Sequence, residues 1–165
     1  MLVIGIDPGT AITGYGLVRE VESGLEVVDF GVLRTPADMP LQERLLQLYR
    51  DLKEVLLLHQ PQSGAVEKLF FRKNFTNAIA VGQGRGVAML ALAEFGLPVA
   101  EYTPMEVKQA VVGWGGADKP QVQEMVRALL QLDSIPRPDD AADALAIAIC
   151  HLHSYRLSSL MHDHQ

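Results

Sequence analysis

A chain of 165 residues with 48% hydrophobic and 21% charged side chains can bury one sizeable core and is too apolar to be disordered. No apolar run approaches the roughly 18 residues a membrane-crossing helix needs, and the lone Cys150 excludes an internal disulfide. The net charge of −6 argues against a uniformly cationic nucleic-acid binder, yet residues 68–127 carry seven basic side chains against five acidic ones, so DNA is not excluded.

The opening MLVIGID has no basic segment ahead of its apolar run and no small-residue cleavage site. It reads as a strand over 2–7 that starts at once rather than a signal peptide, and with the single cysteine it suits a reducing cytoplasm. Asp7-Pro8-Gly9-Thr10 then supplies turn chemistry. Residues 13–20 and 25–34 read as two strands joined in a hairpin at Glu22-Ser23-Gly24. Leu41, Leu45, Leu48, Leu52 and Val55 recur at helical spacing up to Leu58, and Pro61 closes that helix. Gly64–Glu67 is a short strand, 76–94 a second helix and 98–102 a further strand. Thr103-Pro104 begins a helix with an N-cap residue and a proline in the first turn. A fourth helix runs from about Pro120 to Leu132, and the last from near Pro138 to about Tyr155.

This order predicts an α/β fold of the ribonuclease-H-like type. Its five-stranded mixed sheet begins as an antiparallel meander and carries helices on both faces. Residues 1–155 form one domain, and 156–165 are a polar C-terminal tail.

Four carboxylates stand out. Asp7 and Glu67 each end a strand, and in a sheet with parallel centre strands such ends share the edge where ligands bind. Asp140 and Asp143 lie three apart on one helix face that is otherwise apolar (Ala144, Ile147, Ala148, Leu152). Inward aspartates are expensive unless paired or metal-bound. An all-oxygen donor set suits Mg²⁺ or Mn²⁺, and two such ions about 3.5–4 Å apart would serve phosphodiester hydrolysis. Taken singly, each acid also has a plainer reading. Asp7 is a turn residue, Glu67 a salt-bridge partner, and the aspartates at 139, 140 and 143 favourable acids at a helix start. Spacing also leaves open a register with Asp139, four residues from Asp143, in place of Asp140.

The segments IGIDPGTAITGYGLV, AVEKLFFRKN, VGQGRGVA, VKQAVVGWGGADKPQVQEMV and DDAADALAIAICH resemble, in order and spacing, the RuvC family of Holliday-junction resolvases over about residues 2–153. The resemblance implies a homodimer that uses Mg²⁺ to nick two opposed strands of a four-way junction symmetrically, in recombination and repair. It also implies work with the RuvA–RuvB branch-migration machinery and a preference for a T-rich cleavage sequence. It makes Asp7, Glu67, Asp140 and Asp143 the metal ligands, with Asp140 standing where some relatives have histidine.

Several groups are candidates to meet DNA. Phe70, Phe71, Arg72, Lys73 and Asn74 follow Glu67 at once, and aromatics beside cations suit stacking on unpaired bases. The resemblance places Phe70 at the junction centre and leaves Phe71 as the anchor of its loop. It assigns Lys108 and Lys119 to the scissile region, Lys119 nearest the chemistry as an electrostatic stabiliser. Otherwise both would read as solvated lysines, although a cation at the helix start by Pro120 opposes the dipole and needs a reason. Gly82, Gly84 and Gly86 lie in a helical pattern where each costs about 1 kcal/mol relative to alanine. Gly82 and Gly86 suit a dimer interface or packing on the sheet, and Arg85 between them a phosphate or a partner subunit. His151, His153, His162 and His164 share no ligand framework and receive no role. An actin-like ATPase begins with a similar acidic Gly-Thr loop, but such proteins duplicate the domain, and no second half is found in this chain.

Overall fold

A computed structural model describes residues 1–68 and 75–162. Five strands, β1 (Leu2–Asp7), β2 (Ile12–Val21), β3 (Gly24–Arg34), β4 (Ser63–Glu67) and β5 (Val99–Tyr102), form one sheet in the order β3-β2-β1-β4-β5. β1, β2 and β3 pair antiparallel, whereas β4 runs parallel to β1 and β5 parallel to β4. This is the mixed sheet expected of the ribonuclease-H-like fold. The helices are α1 (Leu41–His59), α2 (Phe75–Glu94), α3 (Pro104–Val112), α4 (Lys119–Leu129) and α5 (Asp139–His162). Each of the ten elements was legible in the sequence; the largest departure is α5, which continues to His162 instead of ending near Tyr155.

Side-chain alternation along β1 divides the core. Ile4 and Ile6 join Leu52, Leu56, Ala88 and Leu92 on the α1–α2 face. Val3 joins Val107, Val126, Leu145 and Ile149 on the α3–α4–α5 face. On the same alternation Asp7 shares the face of Val3, and Glu67 the face of Ala65. Both acids therefore point to the side on which α5 lies.

α5 approaches the sheet at backbone distance. A Cβ on Gly5 would stand 2.2 Å from the Ala144 carbonyl oxygen, and one on Gly14 would stand 2.0 Å from that of Asp140. Any side chain at either position would push the helix off. Farther along α5, buried His151 is held on both ring nitrogens, by Ser63 Oγ at 2.7 Å and the Tyr102 hydroxyl at 2.9 Å. Ser63 gives its own proton to the Pro98 carbonyl, so Nε2–H donates to Ser63 and Nδ1 accepts from Tyr102. Burial holds this imidazole below its ordinary pKa, in keeping with a neutral ring.

Candidate active site

Asp7 and Glu67 leave adjacent parallel strands at the same sheet edge, one step beyond the Ile6–Val66 pair. Gly14 is the cross-strand neighbour of Asp7, and the Asp140 carbonyl lies directly over it. The glycine is what admits the first turn of α5 beside Asp7. Asp143 follows three residues later on the same helix. The fold thus gathers four partly buried acids from three elements.

They repel one another. Burial first, and then the charges of Glu67, Asp143 and Asp140, push the Asp7 carboxyl up to about 8, with Lys119 pulling the other way. Glu67 is raised by burial and by Asp143. Asp143 is raised by burial, against the hydrogen bond and charge of Lys119. Among the described residues no three His, Cys, Asp or Glu side chains close into a compact ligand cluster; the acids sense one another across the gap between sheet edge and helix. Hard oxygen donors whose ionisation is suppressed by burial and like charge fit a divalent cation, which would offset both penalties.

Lys119 supplies the cation that the chain itself contributes. It opens α4, where Asp118 and Gln121 form a reciprocal capping box. Its Nζ lies 3.0 Å from Asp143 and 3.4 Å from Asp139. Burial disfavours its charge, but the hydrogen bond and charge of Asp143, followed by Asp139, outweigh that and raise its pKa. These two carboxylates are the reason a lysine is tolerated at a helix start.

The structure also separates Asp139 from Asp140. Asp139 pairs with Lys119 and with Arg137, and accepts from the buried Gln123 amide at 3.2 Å. It anchors the start of α5. Asp140 is the one whose charge reaches Asp7.

The turn after Asp7 is held by residues that the sequence reading passed over. Thr13 Oγ1 donates to the Gly9 carbonyl at 2.6 Å and accepts from the Gly9 amide at 3.3 Å. Thr35 Oγ1 donates to the Thr10 carbonyl at 2.6 Å and accepts from Arg44. The Thr10 hydroxyl donates to the Ala80 carbonyl of α2. All three threonines are buried. Gly84 completes the clamp: a Cβ there would stand 2.7 Å from the Gly9 carbonyl oxygen, so α2 packs directly on the turn. Of the glycines in that helix, 84 explains the intramolecular contact, while Gly86 is exposed with open space where a Cβ would be.

Arg85, read from sequence as a candidate for a phosphate or a partner subunit, is engaged within the subunit with Glu101 and the Glu67 carbonyl. Lys108 lies half-buried on α3 and makes no ion pair among the described residues. Phe70, Phe71, Arg72, Lys73 and Asn74 lie outside the described residues. An apolar cavity of about 1170 Å³, lined by Tyr102, Met105, Trp114 and Leu157 among others, contains none of the four acids.

Comparison with known proteins places the whole chain beside one family. The family described as "Crossover junction endodeoxyribonuclease RuvC" matches residues 3–151. A protein of that description from Desulfitobacterium hafniense is 59% identical over 161 residues, covering 98% of each chain. Another from Chloroflexus aggregans is 60% identical over 154 residues, covering 93% of this chain and 94% of the other. The solved structure of Thermus thermophilus RuvC in complex with Holliday junction substrate is 39% identical, with a TM-score of 0.90 and 96% of each chain covered.

Proposed function

Since the chain belongs to the RuvC family of crossover junction endodeoxyribonucleases, we propose that Asp7, Glu67, Asp140 and Asp143 are the metal-binding carboxylates with which it resolves Holliday junctions. The activity is that of a metal-dependent nuclease hydrolysing phosphodiester bonds in recombination and repair. The observation that carries the assignment to these residues is their convergence: Asp7 and Glu67 leave adjacent parallel strands at one sheet edge, and Gly14 admits the first turn of α5 beside Asp7, whose carboxyl is pushed up to about 8 by burial and three neighbouring acids.

Mg²⁺ is the proposed ion, with Mn²⁺ as a substitute and two ions per site; when bound, it supplies an activated water and charge compensation at the scissile phosphate. The chain's own groups do the rest. Asp7 and Glu67 are fixed by strand ends and a clamped turn, and so hold their oxygens at a set separation. Lys119 keeps an ammonium beside the acids, where it opposes the negative charge that builds on the phosphate. The family resemblance assigns Phe70, three residues after Glu67, to the junction centre and Lys108 to the scissile region, while Arg72, Lys73 and Asn74 are assigned to DNA binding.

Paired nicks on opposed strands call for two centres, and a homodimer provides them. An exposed stripe on α2 supports this, with Ile79 at 65%, Leu90 at 62% and the open Gly86 between them. Partnership with RuvA–RuvB and a cytoplasmic location are further parts of the proposal, resting on the family resemblance. Among the described residues no helix is long and apolar enough to cross a membrane.

The test is a synthetic four-way junction incubated with Mg²⁺, with nicks mapped on all four strands. Symmetric paired nicks are expected, and indiscriminate cutting of duplex arms would reject the reading. Phe70→Ala should impair intact junctions more than junctions built with unpaired bases at the crossover; equal impairment would leave Phe70 a packing residue.

A further inference from the structure

β4 ends at Glu67, where the sheet is thinning out. Its pairing with β1 stops at Val66, and just beyond Glu67 the Lys68 amide donates to the Tyr102 carbonyl of β5 at 2.8 Å. Glu67 is still registered against Tyr102 of β5, and α2 adds a further tie to its free carbonyl. Arg85 Nε donates to the Glu67 carbonyl at 3.3 Å, and the rest of its guanidinium pairs with Glu101 on β5. Both side chains are mostly covered, 21% exposed for Arg85 and 32% for Glu101. A screened surface pair contributes little, but a covered one leaves an uncompensated charge if either partner is lost.

The same helix touches the other carboxylate-bearing turn. Ala80 accepts from Thr10, and Gly84 packs on Gly9. Three positions within six residues of α2 therefore contact the segments that carry Asp7 and Glu67. We propose that Arg85 and Glu101 are a positioning pair that locks the end of β4 to α2 and β5, and thereby sets the separation of Glu67 from Asp7. The proposal rests on the nuclease reading given above, since it assigns these residues to the geometry of that site. It differs from a phosphate-binding role for Arg85 because Glu101, an anion, cannot bind phosphate. A positioning pair predicts that loss of either partner has the same consequence.

The variants are Arg85→Gln, Arg85→Lys, Glu101→Gln and the double variant Arg85→Gln/Glu101→Gln. Three quantities are measured: Mn²⁺ affinity of the protein without DNA, junction affinity, and the single-turnover nicking rate on saturating junction well below the melting temperature. Arg85→Gln and Glu101→Gln should each weaken Mn²⁺ binding several-fold and slow nicking about tenfold or more, with junction affinity unchanged within twofold. The double variant should be no worse than either single one, because the two residues act as a unit. Arg85→Lys should recover part of the loss through the Glu101 pair alone. A normal Glu101→Gln beside an Arg85→Gln that loses junction affinity would overturn the proposal in favour of a phosphate contact. Lowered melting temperature with normal Mn²⁺ affinity and nicking in both would overturn it in favour of plain stability. Failure of the wild-type protein to nick any junction would reject the nuclease reading instead, and the Mn²⁺ comparison would still judge the pair.

Discussion

At one end of β4, Ser63, His151 and Tyr102 satisfy one another; at the other, Asp7, Glu67, Asp140 and Asp143 repel. Both clusters lie between the sheet and α5, and α5 contributes to both. In the first, each donor finds an acceptor at 2.7–3.1 Å and burial lowers the pKa of the imidazole. In the second, Lys119 pairs with Asp143, and burial and like charge push the Asp7 carboxyl up to about 8. A complete polar network fixes the packing of a helix on a sheet. An incomplete one stores a demand for positive charge, and that is where the chemistry belongs.

The contrast is broken most directly at Asp7. Asp7→Asn should reduce nicking by roughly a thousandfold, the upper scale for losing one preorganised electrostatic group, while junction binding stays nearly intact. Equal loss of binding would mean that the residue shapes the fold. The same variant sharpens the electrostatic side. The folded pKa of Asp7 is raised above its ordinary 3.8, so the folded state holds the extra proton and stability falls as pH rises from about 4 to about 8. Thermal unfolding in chelator should show that decline in the wild type and a flatter profile in Asp7→Asn. Added Mg²⁺ should restore wild-type stability at pH 8, where the site is most repulsive. A wild-type profile with no decline over that range would remove the repulsion argument.

Next in size is Lys119→Ala, which removes the cation paired with Asp143. It should slow the chemical step by about a hundredfold and weaken junction binding much less, as single-turnover kinetics at saturation would show. A pure affinity loss would make Lys119 an ordinary phosphate anchor. Thr13→Val, which deletes both bonds to Gly9, should cost about 1–3 kcal/mol in denaturant unfolding and slow nicking several-fold by loosening the Asp7 turn. Unchanged nicking at full occupancy of the fold would show that the turn holds without it.

The smallest effect is expected at the satisfied cluster. Tyr102→Phe leaves His151 Nδ1 without its donor and should cost about 1 kcal/mol, with nicking unchanged within twofold. A large activity loss there would erase the distinction between the two ends of β4.

How much could be read without coordinates follows the range of each interaction. Strand alternation, the leucine spacing of α1 and the Thr103-Pro104 cap are local, and they placed every element. Asp7 and Glu67 were legible as strand-end acids because topology brings parallel strand ends to one edge. The choice of Asp140 over Asp139 was not, since one residue of register on a helix start is resolved only by what faces each side chain. There Lys119, Arg137 and Gln123 take Asp139, and Gly14 admits Asp140 beside Asp7. The buried threonines at 10, 13 and 35 read as ordinary strand and loop residues, because their partners are backbone groups brought to them by folding.

Sequence by itself determined the sheet, its helices and the family, because periodicity, turn chemistry and motif order are properties of a chain read in one dimension. Only the tertiary structure decided that Arg85 turns inward to Glu101, that Gly84 packs on Gly9 while Gly86 stays open, and that burial and neighbouring acids push the Asp7 carboxyl up. Those outcomes depend on desolvation and on charges close in space but distant along the chain, and such energies exist only once the elements have packed.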